Sequence, residues 1–174
     1  MSGIVNSTGA RSGVIGTTVG TPAAGGITGA DEWGLRANPS STGYLTSNWV
    51  RSSNAGYIGT GLTQASGIFS CPSTGLWLIL SQFDFTTFSS DDYIDIYLKV
   101  TTNNSSYVNH NYVQIGNSQD NHTVSQSSFI DVTDEANVKF QWYLSSMDSS
   151  ELRTEVGNDA IHRSGFVVIR LGDT

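Results

Sequence analysis

The sequence predicts an all-β protein of the sandwich or jelly-roll class carrying an extended glycine-rich N-terminal arm. Three observations carry that prediction. Apolar and polar residues alternate with period two in several separate segments. The text between those segments is built from Asn, Ser, Asp and Gly, the residues that turn a chain. No window of ten or more residues shows the 3.6-residue period of an amphipathic helix. Charged residues make up only 13% of the 174, and Ser, Thr, Asn and Gly, which are weak helix formers, take their place.

The organisation along the chain is an arm over residues 1–35 and a β-domain over residues 36–174, with β-type patterning beginning at about residue 31. The first thirty residues hold eight glycines and only isolated apolar residues. Such a segment loses much backbone entropy on ordering and has too little apolar surface for a core of its own. It is expected to lie on a neighbouring subunit, with Val5, Val14, Ile15, Val19 and Ile27 as anchoring pegs. Tyr44–Val50 and Gly56–Leu62 read as short strands. Ile68–Cys71 and Leu76–Phe85 flank a Pro72-Ser73-Thr74-Gly75 turn and read as a hairpin.

Tyr93–Val100 alternates cleanly, with Ile94, Ile96, Leu98 and Val100 on one face and Tyr93, Asp95, Tyr97 and Lys99 on the other. Val138–Ser145 does the same, placing Val138, Phe140, Trp142 and Leu144 inward. Tyr107–Ile115, Thr123–Val132 and Ile161–Leu171 complete a set of roughly eight to ten strands, the spacing of a sandwich or jelly roll.

Several function classes lose support. Net charge is −7, and Lys99 and Lys139 are the only lysines, so no basic stripe exists to neutralise phosphates and no nucleic-acid partner is expected. No apolar run approaches the length of a membrane span, so no membrane insertion is expected, and the first residues lack the charged and apolar regions of a secretion signal. Cys71 is the only cysteine and sits between Phe69 and Pro72, the setting of a buried small hydrophobe.

His110, His122 and His162 lack metal-ligand spacing. Asp91, Asp92 and Asp95, and Asp131 with Asp134 and Glu135, lack the ligand spacing and central glycine of a calcium loop. No nucleophile elbow or phosphate loop occurs. No enzyme activity, metal or cofactor is expected. Trp77 and Trp142 fall in alternating apolar strands and read as core or interface. Trp33 and Trp49 lie in less patterned text, where they cap the barrel or meet a neighbour.

The run from Gly67 to Leu80, with Phe69, Pro72, Gly75 and Trp77 at its marked positions, resembles the Gly-x-Phe-x-x-Pro-x-x-Gly hairpin of complement globular-head and tumour-necrosis-factor domains. The acidic turn Asp131–Asn137 before an alternating strand, and the closing Ser164-Gly165-Phe166 strand, follow in compatible order. The resemblance covers roughly residues 40–171 and implies a tumour-necrosis-factor-like jelly roll assembled as a homotrimer about a threefold axis. Tyr93, Tyr97 and Tyr143 are the expected trimer-interface residues.

The Ser12–Gly20 text resembles the start of bacteriophage virion proteins. The combined reading is a trimeric phage structural protein, made in the host cytoplasm and located on the virion. Its arm would hold a major capsid protein or a tail or fibre protein, as capsid decoration or as a fibre or spike tip. The alternative is a host-attachment module that binds a host-surface glycan through Tyr107, Tyr112 and Trp49.

Overall fold

The computed structural model describes residues 26–53, 55–88, 91–116, 118–154 and 163–174. Val5, Val14, Ile15 and Val19 lie outside the described residues. The described chain forms strands β1 (Ala30–Leu35), β2 (Gly43–Tyr44), β3 (Trp49–Arg51), β4 (Tyr57–Ile58), β5 (Thr63–Ala65), β6 (Ile68–Ser70) and β7 (Gly75–Thr86). They are followed by β8 (Tyr93–Thr101), β9 (Val108–Gly116), β10 (Asn121–Val132), β11 (Lys139–Ser145), β12 (Glu151–Arg153) and β13 (Gly165–Gly172). No helix occurs among the described residues.

Two antiparallel sheets pack face to face. One has seven strands, in the order β10-β7-β13-β1-β3 with β12 on β7 and β4 on β1. The other has six, in the order β5-β6-β11-β8-β9 with β2 on β11. The predicted alternation holds: Ile94, Ile96, Leu98 and Val100 of β8, and Phe140, Trp142 and Leu144 of β11, are buried between the sheets. At the centre Trp49, Phe69, Trp142 and Phe166 pack as a cluster, with ring centroids 4.4 Å apart for Trp142–Phe166 and 4.8 Å for Phe69–Phe166. Cys71 is buried beside them, and burial pushes its thiol up to about 12, so it stays protonated and inert at neutral pH.

The structure alters four expectations. First, residues 30–35, assigned to the arm, form β1 inside the seven-stranded sheet, between β13 and β3. Trp33 and Leu35 supply apolar packing, and Asp31 accepts a bidentate hydrogen bond from Arg51 of β3 at 2.9 Å. The Arg51 guanidinium is held between the Trp33 and Tyr57 rings, which ties β1, β3 and β4 together.

Second, β6 and β7 are not a hairpin, because each pairs within a different sheet. The Pro72–Thr74 turn carries the chain across the sandwich. Trp77 Nε1 donates to Ser73 O at 3.1 Å, and Arg170 Nη2 donates to Thr74 O at 2.9 Å. Gly75 has φ +124°, and a Cβ there would run into the Gly172 carbonyl oxygen.

Third, Tyr44–Val50 is not one strand. Tyr44 pairs with β11 in one sheet and Trp49 with β1 in the other. The chain turns at Asn48, at φ 64°, and Trp49 points inward with its Nε1 donating to Leu45 O at 2.7 Å. Fourth, of Gly56–Leu62 only Tyr57 and Ile58 are in a strand, since Gly59 and Gly61 take positive φ and curl the segment.

Candidate interaction surfaces

Each sheet has an inner face in the core and an outer face, and the two outer faces differ in chemistry. On the seven-stranded sheet the outward residues fall in register across four strands. Phe129 of β10 lies opposite Leu78 of β7, Leu78 opposite Ile169 of β13, and Ile169 opposite Ala30 of β1. The next row is Ser127, Leu80, Val167 and Glu32. Phe129 is 55% exposed, Leu171 51% and Leu80 42%, so large apolar side chains stand open on a sheet face. A depression of about 410 Å³ is lined by Leu80, Ser125, Ser127 and Gly165 together with Glu32, Gln82 and Arg163. Among the described residues no group of three His, Cys, Asp or Glu side chains gathers as a metal site.

The six-stranded sheet turns tyrosines outward. Tyr97 of β8 stacks on Tyr112 of β9, with centroids 5.4 Å apart, and Tyr44 of β2 meets Tyr143 of β11 edge-on at 4.9 Å. The Lys99 ammonium lies 5.2 Å from the Tyr143 centroid, 5.9 Å from Tyr44 and 6.0 Å from Tyr97. Burial, followed by the hydrogen bond to Asp95, pushes the Tyr97 phenol up, so it remains a neutral donor. Tyr107 carries a buried hydroxyl with no hydrogen-bond partner among the described residues, and burial likewise raises its pKa.

The predicted interface residues Tyr93, Tyr97 and Tyr143 are all on β8 and β11 of this six-stranded sheet. Tyr93 is exposed, whereas Tyr97 and Tyr143 are half-buried against other tyrosines. Ile27, the one predicted anchoring peg among the described residues, is exposed. Trp49 belongs to the core and is closed to any glycan.

The acidic clusters hold loops. Asp91 is buried and accepts N–H bonds from Asp148 (2.8 Å), Ser149 (3.3 Å) and Ser150 (2.8 Å). Burial opposes its ionisation, but the Ser150 hydroxyl and these backbone N–H groups outweigh burial and leave the carboxyl below the usual range. Exposed Asp134 caps its own turn by accepting from Ala136 N and Asn137 Nδ2, which lowers its pKa.

Leu78, Leu80, Phe129, Val167, Ile169 and Leu171 were not singled out from the sequence, although a signal was present for all of them but Phe129 and Leu171. Leu76–Leu80 and Val167–Ile169 are apolar at every position, the mark of a strand covered on both faces.

No family model matches the sequence, and no curated protein matches it. Solved structures match the fold. Murine APRIL superposes with a TM-score of 0.62 at 10% identity, over 82% of this chain and 98% of that one. Eiger TNF from S. frugiperda superposes with a TM-score of 0.58 at 14% identity, over 83% of this chain and 93% of that one. The fold is a tumour-necrosis-factor-like jelly roll. At these identities the likeness fixes the fold of this jelly roll and leaves its two outer faces to be read from their own residues.

Proposed function

We propose that the chain is a non-enzymatic structural subunit that assembles as a homotrimer through the outer face of its seven-stranded sheet. The observation that carries this is the apolar row Phe129–Leu78–Ile169, extended by Leu80, Val167 and Leu171. A monomer would leave those side chains in water. Burying them between identical copies about one axis removes the patch from solvent, and Glu32, Gln82 and Arg163, which line the adjoining depression, supply polar contacts. This moves the expected subunit contact away from Tyr93, Tyr97 and Tyr143, which stand on the opposite sheet.

The finer reading is a phage virion component, made in the host cytoplasm and fixed to a capsid, tail or fibre protein by the segment before β1. It is supported by the Ser12–Gly20 text and by the glycine-rich composition of that segment. Three such segments on one trimer would add weak contacts into stable attachment.

Light scattering on the purified chain is expected to give a trimer, and Leu80→Glu with Phe129→Glu a folded monomer. A monomeric wild type, or a double variant that stays trimeric, would overturn the assembly. Deletion of residues 1–25, which spares β1, is expected to keep the trimer and lose incorporation into particles. Retained incorporation would remove the anchoring role.

A further inference from the structure

The tyrosine face of the six-stranded sheet has no part in the trimer proposed above, and its chemistry is of another kind. Its rings are paired and ordered before any ligand arrives: Tyr97 lies on Tyr112 with planes 22° apart, and Tyr143 bridges between Tyr97, at 6.4 Å, and Tyr44. Lys99 reaches into the middle of this group, within 6.0 Å of three ring centroids. It makes no ion pair with any described carboxylate. That is notable in a chain of net charge −7 with two lysines. Beside it Asp95 accepts from Tyr97 Oη at 3.1 Å and from Gln114 Nε2 at 2.9 Å, so a fixed line of hydrogen-bonding groups borders the rings.

From this arrangement we infer that the face binds a saccharide bearing a carboxylate, with the sugar lying on the Tyr97–Tyr112 pair and its carboxylate meeting Lys99. Pyranose rings present C–H faces that pack on tyrosine and hydroxyls that need donors and acceptors at the edge. Tyrosine gives large contact area at low entropy cost, and exposed Gln114, held by the buried Asp95, supplies the edge. The charge complementarity selects the ligand, because Lys99 makes no ion pair with any described carboxylate, and a carboxylate on the sugar completes one.

The inference differs from the glycan reading of the sequence in its residues: Trp49 is in the core, while Tyr112 is 56% exposed. It also stands independently of trimerisation.

The test uses the full chain with two acidic probes, trigalacturonate and sialyllactose, and two neutral counterparts, the methyl ester of trigalacturonate and lactose. Calorimetry and saturation-transfer NMR at low salt are expected to detect at least one acidic probe, and its neutral counterpart at least about tenfold more weakly. The acidic affinity is expected to fall as salt rises. Lys99→Met should lower acidic binding about tenfold more than neutral binding, whereas Tyr112→Ala should weaken both. Tyr112→Ala removes an exposed side chain, so the fold is expected to survive, and an unchanged thermal transition checks this.

Absence of binding by both acidic probes, equal binding of acidic and neutral forms, or unchanged binding by both variants would each overturn the inference. Repeating the measurement on the Leu80→Glu, Phe129→Glu chain separates the two proposals, since this face should bind in monomer and trimer alike.

Discussion

At the residue scale, Asp91 shows how a surface-type residue becomes structural. Its carboxylate takes the N–H groups of residues 148–150, in the loop between β11 and β12, and thereby holds that loop against the start of β8. Because the folded-state pKa lies below the ordinary carboxylate value of about 4, Asp91 contributes stability that is fully present above that value and is lost as pH falls through and below it. Asp91→Ala should therefore cost about 3 kcal/mol near neutrality, leaving three N–H groups without their acceptor. The gap between wild type and variant should narrow as urea titrations move from about pH 6 towards pH 2. A gap that stays constant across that range would assign the cost to packing. From sequence, Asp91 with Asp92 and Asp95 is an undifferentiated acidic run, because the 148–150 loop that gives Asp91 its role is far away along the chain.

At the element scale, the closing strand is set by how near two backbones come. Gly165 on β13 faces Gly34 on β1, and a Cβ at Gly165 would meet the Trp33 carbonyl oxygen. Relieving that contact requires β1 to move, and with it the Asp31–Arg51 pair. Gly165→Val is expected to destabilise by roughly 2–3 kcal/mol, as for other overpacking substitutions, read as a lower denaturant midpoint at unchanged slope.

The interiors of the long strands were legible in the sequence. In Tyr93–Val100 and Val138–Ser145 the period of two alone decides which side chains enter the core. The crossings between sheets were not legible. Pro72–Gly75 has the composition of a hairpin turn, and only the pairing of Phe69 with Phe140, and of Leu78 with Ile169, reveals that the chain changes sheet there. The same holds at Tyr44–Val50, where a left-handed Asn48 divides what the pattern presents as one strand. The tyrosine side of β8 was legible as a face. Which outer face needs covering was written elsewhere, in runs such as Leu76–Leu80 that are apolar at every position.

At the scale of the whole molecule, the two outer faces differ in what they suit. The apolar seven-stranded face suits burial between copies, while the tyrosine face on the far side of the sandwich would then point away from the axis and occur three times per assembly. Integrity of the whole depends on β13. Deletion of residues 165–174 is expected to abolish the cooperative thermal transition followed by tryptophan fluorescence, because β7 and β1 lose the strand between them and Phe166 and Val168 leave the core. A chain that keeps a sharp transition without these residues would contradict that dependence.

The position of β13 also has a consequence during synthesis. β1 emerges from the ribosome early and β7 well after it, yet neither can pair with the strand that lies between them until the segment near residue 170 has been made. Throughout that interval the nascent chain displays two open sheet edges with an apolar face beside them, which is the combination most prone to pairing with other chains. The six-stranded sheet has all of its strands by residue 145, before β13 is made. Order of synthesis and order of folding are thereby coupled: the seven-stranded sheet closes only with the last strand made.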